Sequence, residues 1–209
     1  MRATNTLTDT DGLGVINYAW QSSGDTGATW QAISGATSAD FTPDATVAGR
    51  LVRVVAGYLD GSGAAESVAS GSMARIGTSG ADELTAGAGV TALFGLGGSD
   101  TLTGMAASQT LDGGAGDDLY LLQDALDFVL EGPGGGADTI ITSVSMTMAD
   151  HVEVLCIASD ISGITLTGGA GNDVLVGNGL ANSFNGGAGD DVILAGNVTL
   201  ADIYALFAM

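Results

Sequence analysis

The sequence predicts an all-β chain in two parts: a small antiparallel β-sandwich over residues 1–75, then a parallel β-solenoid over residues 76–197, with an apolar tail at 198–209. Three observations carry this. A nine-residue unit recurs through the second part, and repeats of that kind decide a fold before local propensities do. The first part shows short alternating strands separated by Gly-rich turns. Charge divides the same way: the four cationic residues Arg2, Arg50, Arg53 and Arg75 all precede residue 76, and seventeen Asp and Glu follow it without a Lys or Arg.

The unit is clearest near the end, as GGAGNDVLV at 168–176, GNGLANSFN at 177–185 and GGAGDDVIL at 186–194. The same frame gives GTSGADELT from 77, AGAGVTALF from 86, GLGGSDTLT from 95, GMAASQTLD from 104 and GGAGDDLYL from 113. Glycines at the first, second and fourth places permit a tight bend with positive φ. Six residues then make a turn, and three make a short strand whose middle, apolar side chain points inward. One unit is half a coil, so residues eighteen apart stack one strand spacing above each other.

That rule separates two edges by their sixth-place residues. One carries Asp82, Asp100, Asp118, Asp173 and Asp191; the other carries Thr91, Gln109 and Asn182. Only the acidic edge suits a cation. Calcium takes six to eight hard oxygens at adaptable geometry, which carboxylates and main-chain carbonyls of successive turns can supply, whereas magnesium demands a stricter octahedron. Three pairs meet the spacing, Asp82 with Asp100, Asp100 with Asp118, and Asp173 with Asp191, so several calcium ions, at three sites, are expected.

The repeats at 113–121 and 168–194, and more weakly those from 77 to 112, resemble the RTX (repeats-in-toxin), or hemolysin-type, calcium-binding nonapeptide family. The resemblance implies a right-handed parallel β-roll and calcium held by the sixth-place aspartates. It also implies ligation by turn carbonyls such as those of Gly113, Ala115, Gly168, Ala170, Gly186 and Ala188. A secreted, extracellular protein exported by type I secretion machinery without a cleaved leader is implied as well.

In residues 1–75, Ile16, Tyr18 and Trp20 alternate with polar or small neighbours, and SSGDTG turns the chain towards Thr29, Trp30 and Ile33. Val52, Val54, Ala56 and Tyr58 share one strand face, with Arg53 on the other. The stretch from DTDGLG through YAWQSS, TWQAISGAT and VRVVAGYLDGSG resembles bacterial immunoglobulin-like modules. Trp20 and Trp30 are expected in its core. Asp9 and Asp11 lack the later glutamate of an EF-hand and read as turn residues.

Between 122 and 167 the repeat decays. Asp127 keeps a sixth place, and GPGGGADTI follows with an apparent two-residue insertion, giving Asp138 and Ile140. Counting on by nines predicts an inward column ending Val129, Ile140, Met148, Ile157, Leu166, Leu175, Phe184, Ile193. Asp138 then joins the acidic edge as a fourth site with Asp118. Leu155 takes the next place, so two calcium clusters with a dry gap between them are expected.

The outward residues Leu119, Leu121, Ile141, Val174, Val176, Val192 and Leu194 form an apolar stripe, which on a soluble surface usually meets something. In the tail, Leu200, Ile203, Leu206 and Phe207 stand at helical spacing. The tail is expected to cap the last coil, because a bare sheet edge invites other chains; the resemblance offers an export signal as the competing role.

Exclusions narrow the function. The acidic roll cannot hold nucleic acid or an anionic membrane by charge. No apolar run spans a membrane, and the polar residues after Met1-Arg2 are not a signal peptide. His151 and Cys156 are each alone of their kind, so neither a zinc set nor a disulfide framework is expected, and no catalytic motif occurs. An enzyme is not expected. The leading expectation is a calcium-folded module of a secreted protein. Alternatives are a calcium-stiffened structural or adhesive protein with a protein or surface-glycan partner, and the C-terminal part of a secreted hydrolase.

Overall fold

The computed structural model describes residues 1–196 except 72, 106, 107 and 159, so the tail at 198–209 lies outside the described residues. The N-terminal part contributes β1 (Asn17–Ser23), β2 (Gln31–Ala32), β3 (Leu51–Leu59), β4 (Ala65–Ala69) and β5 (Met73–Ile76). The next half-coils are β6 (Glu83–Thr85), β7 (Val90–Phe94), β8 (Thr101–Thr103), β9 (Thr110–Asp112), β10 (Leu119–Leu122) and β11 (Phe128–Leu130). They continue as β12 (Thr139–Thr142), β13 (Met146–Thr147), β14 (Val154–Ile157), β15 (Thr165–Thr167), β16 (Val174–Val176), β17 (Ser183–Asn185) and β18 (Val192–Leu194).

Alternate strands stack in parallel, as a two-unit coil requires. One sheet runs β18-β16-β14-β12-β10-β8-β6; opposite it, β11-β9-β7-β5 and β13-β15-β17 form two separate stacks. The solenoid thus spans roughly residues 73–194. Its interior is a ladder of identically placed side chains: Leu84, Leu93, Leu102, Leu111, Tyr120, Val129, Ile140, Leu155, Leu166 and Leu175 are all buried. Full burial of each such side chain contributes roughly 1.5–3 kcal/mol relative to exposure.

The predicted sandwich is not what residues 1–75 build. Their strands pair antiparallel, β1 with β2 and β3, and β3 with β4 and β5, but all lie in one sheet, which β5 joins to the roll by pairing in parallel with β7. Loops, not a second sheet, cover its apolar face. Trp20 is buried, donates Nε1–H to the Ser38 carbonyl (2.9 Å) and stacks on Phe41 at 5.2 Å. Val47, from a 3-10 turn capped by Asp44, joins the same cluster, which runs on to Ala92, Phe94 and Leu96 of the roll. Trp30 is only partly buried, with the Arg53 guanidinium 4.2 Å above its ring. Leu51 pairs with Arg75 and packs with the roll's interior, so this sheet covers the first coil's end.

Between 140 and 166 the steps of nine are redistributed. Ile140 stands beside Leu155, and Leu155 beside Leu175; Met146, not Met148, stands beside Leu166. The inward column therefore takes Leu155 where Ile157 was expected, although Met148 and Ile157 are also buried in the core. One connection is short and the next long, and the glycine-poor stretch 148–157 offers no nonapeptide turn to mark either. Ile193, predicted inward, is 45% exposed. On the outer face, Val154, Cys156, Val174 and Val176 are buried together, with Ile141 and Leu194 against them, while Val192 is 39% exposed.

Candidate metal centre

Each acidic-edge aspartate leaves its turn just before a strand of the long sheet, and its two carboxylate oxygens do different things. Oδ1 accepts the backbone N–H of the sixth-place residue one coil earlier: Asp100 from Asp82 (2.7 Å), Asp118 from Asp100 (2.8 Å), Asp138 from Asp118 (2.8 Å) and Asp191 from Asp173 (3.0 Å). Oδ2 folds back over the first glycine of its own unit. A Cβ at Gly95 or Gly113 would overlap the carboxylate of Asp100 or Asp118. The first-place glycine thus makes room for the carboxylate. The fourth-place glycine answers a second demand: Gly116 has φ +124°, and a Cβ there would run into the Gly98 carbonyl of the coil before.

The predicted residues fall on one line, with differences between them. Asp100, Asp118 and Asp138 are 2%, 2% and 0% exposed, and among the described residues their Oδ2 atoms have no hydrogen-bond partner. Asp82 Oδ2 instead accepts from Thr78 N–H (2.6 Å) and Oγ1–H (2.9 Å), and Asp173 Oδ2 accepts from Gly169 N–H (2.6 Å). Among the carbonyl candidates, that of Ala115 accepts the N–H of Gly98 (2.7 Å) and keeps a second lone pair. The Gly113 and Gly186 carbonyls press on Gly95 and Gly168 of the coil before. Ala170 lines a cavity of about 450 Å³ that also touches Glu153 and Asp173.

The expected dry gap is absent at its first step, because Glu153, not Leu155, follows Asp138. Val154 pairs with Thr139, and the Glu153 carboxylate accepts the Asp138 N–H at 2.7 Å. A carboxylate thus stands on this edge in every coil from Asp82 to Asp191, and the one link lacking a side-chain hydrogen bond among those described is Glu153 to Asp173. The nine-residue count hid Glu153; its VEV setting beside a buried apolar pair was the available signal. Glu131 was also missed. It is buried, and one oxygen from each of Asp118, Glu131 and Asp138 lies within 4.8 Å of the others.

No Lys or Arg follows Arg75 in the sequence to offset this charge; His151 eases it at Glu153, and the carboxyls respond. Burial, with the neighbouring carboxylates adding to it, pushes Asp118 and Asp138 up to about 7. Burial also raises Asp100, Glu131, Glu153 and Asp173. Partnerless, buried, hard oxygens stacked between carbonyl-rich turns are the donor set calcium takes.

A second group brings Asp9, Asp60 and Glu66 together in the N-terminal part. Asp9 Oδ1 accepts the Asp11 N–H (3.0 Å), the turn role expected of it. Glu66 accepts from the Tyr58 hydroxyl (2.6 Å), which holds that phenol up at about 12.

A parallel solenoid with carboxylates along one edge is a cation-binding repeat architecture. Residues 76–90, 92–121 and 167–197 match the RTX calcium-binding nonapeptide repeat, in four copies, so the roll carries RTX repeats. Residues 2–74 match a domain of unknown function. Neither that match nor the single sheet supports an immunoglobulin-like module. No curated protein and no solved structure matches the chain. Among the described residues no helix is long and apolar enough to cross a membrane.

Proposed function

We propose that this chain is a non-catalytic, calcium-responsive module of a secreted protein, whose roll is loosely ordered where calcium is scarce and compacts where it is plentiful. The observation that carries the reading is the row of buried, partnerless Oδ2 atoms on Asp100 and Asp118, within matched RTX repeats, and on Asp138 in the next coil. Asp82, Asp173 and Asp191 extend the row, with carbonyls of Gly113, Ala115, Gly168, Ala170, Gly186 and Ala188 as further ligands. Metal binding is then folding free energy: at a hundred times its dissociation constant, each ion contributes about 2.7 kcal/mol. Export through a type I channel fits a chain whose roll is only marginally stable until it reaches calcium.

Far-UV circular dichroism of the full chain during a calcium titration, with magnesium in parallel, tests this. A cooperative gain of β structure with calcium alone supports the reading; a spectrum indifferent to calcium and chelator contradicts it. One observation favours a structural or adhesive role: β11, the last strand of its stack, exposes Leu126, Phe128 and Leu130 nearby at 66%, 60% and 45%. Mass that rises with concentration in calcium, and not in chelator, would favour that role.

A further inference from the structure

Glu131 stands where the nonapeptide has its first glycine. Leu130 of β11 stands beside Asp112 of β9, so Glu131 opens its turn over Gly113. The Gly116 N–H then bonds the Gly135 carbonyl (2.6 Å), just as the Gly98 N–H bonds that of Ala115 (2.7 Å) one coil before. Between those fixed points the turn at 131–138 holds two residues more than the turn at 113–118. The added length turns a long acidic side chain inward, leaving Glu131 8% exposed.

Its carboxylate is held in place. The Tyr120 hydroxyl donates to Glu131 Oε1 and accepts the Gly113 N–H (2.8 Å), and the Gly132 N–H reaches Oε2 at 3.3 Å. Oε2 of Glu131 and Oδ2 of Asp138 converge over Gly135, 2.7 and 3.4 Å from where a Cβ would stand. Asp118 and Asp138 bring two oxygens that have no partner. Three carboxylates this close and this buried repel one another strongly unless a counter-charge sits among them. Oxygens bound to one calcium at roughly 2.3–2.6 Å stand no more than about 5 Å apart, and the three oxygens lie within 4.8 Å of one another.

We propose that Glu131, presented by the lengthened turn after β11 and braced by Tyr120, is a third carboxylate ligand completing a calcium site with Asp118 and Asp138. This site differs from the paired repeat aspartates in drawing a ligand from a place that is glycine in the nonapeptide, and the proposal rests on the calcium-binding reading of the roll.

The test counts calcium ions on the full chain by native mass spectrometry at stepped free calcium, and follows thermal unfolding in calcium and in chelator. Glu131→Gln keeps the shape and removes the charge. It should bind one ion fewer than the unmodified chain, or bind it at least tenfold more weakly. It should also unfold at a higher temperature than the unmodified chain in chelator and at a lower one in calcium. Glu131→Asp, which shortens the reach, should weaken the same ion about tenfold, and serves if the Gln variant does not fold. An unchanged ion count, affinity and calcium-induced shift in these variants would overturn the proposal while leaving the calcium-binding roll intact. An unmodified chain that takes up no calcium would overturn both.

Discussion

The two edges of the roll share one hydrogen bond and differ in what remains after it. On both, a backbone N–H reaches the side-chain oxygen of the sixth-place residue a coil further on: Asp100 to Asp118 (2.8 Å), Gln109 to Asp127 (3.0 Å), Ile164 to Asn182 (3.0 Å). Where that side chain is an amide, its other end finishes the job. Asn182 Nδ2 donates to Asn178 Oδ1 (2.8 Å); Gln109, whose Oε1 accepts the Met105 N–H of its own turn (2.9 Å), donates Nε2–H to the Val90 carbonyl (3.2 Å). Where it is a carboxylate, the other end is a second acceptor facing other acceptors, and it stays partnerless at Asp100, Asp118 and Asp138. The amide edge completes itself from the protein, whereas the acidic edge needs positive charge from outside. Asp127, a carboxylate on the amide edge, is partnerless at Oδ2 as well, so side-chain chemistry, not position, sets the difference.

The comparison breaks most severely if the shared scaffold is removed. Gly116→Ala drives a Cβ into the Gly98 carbonyl at φ +124° and should cost about 3 kcal/mol or more, unfolding the roll with or without calcium. Leu102→Ala, at a fully buried interior position, should cost about 2–5 kcal/mol in both conditions. Thermal unfolding in calcium and in chelator checks both variants.

Asp118→Asn separates the edges. It supplies the amide that the other edge uses, so the chain should be no less stable in chelator. In calcium, apparent affinity should fall about a hundredfold, equivalent to about 2.7 kcal/mol, as read by calorimetric titration. The reverse exchange, Gln109→Glu, sets a carboxylate against the Val90 carbonyl and should cost about 1–3 kcal/mol in chelator, with part regained in calcium.

Proton and calcium should compete along the acidic edge. Burial raises Asp118 and Asp138 to about 7 in the folded state, above their ordinary value of 3.8, so folding favours their protonated forms. Their contribution to metal-free stability is fully present below pH 3.8 and is lost as pH rises through about 7. Calcium needs the ionised forms, so its affinity should run the opposite way, weakening by about tenfold or more per pH unit below 7 as binding releases protons. Denaturant titrations between pH 5 and 8, with and without calcium, should show the two slopes with opposite sign. Smallest of all, Arg2→Ala removes an exposed 3.9 Å ion pair with Asp40 and should change stability by under about 0.5 kcal/mol.

Much of the acidic edge was legible because its period survives in the chain. Asp82, Asp100 and Asp118 stand eighteen apart, as do Asp173 and Asp191, and Asp138 follows once a two-residue insertion is allowed. Glu153 and Leu155 were misread because the β12-to-β14 step is fifteen residues and the next twenty, together one short of two regular coils, which hides the irregularity within the segment. Glu131 was invisible to periodicity for a different reason: it takes the first place of its turn, where the repeat has a glycine and so no side chain to count. In the N-terminal part, alternation marked the strands and the buried Trp20, but a strand's buried face does not say whether sheet or loop covers it. Here loops do, and β5 commits the sheet to the roll.

Amide hydrogen exchange of the full chain, with and without calcium, tests the difference between the edges most directly. The N–H groups of Asp82, Asp100 and Asp118 donate along the acidic edge, and that of Ile164 donates to Asn182 on the amide edge. Calcium should slow exchange on the acidic-edge groups by at least a hundredfold, and by more than at Ile164, which slows as the whole roll compacts. No slowing on the acidic edge, or more at Ile164 than there, would contradict the account.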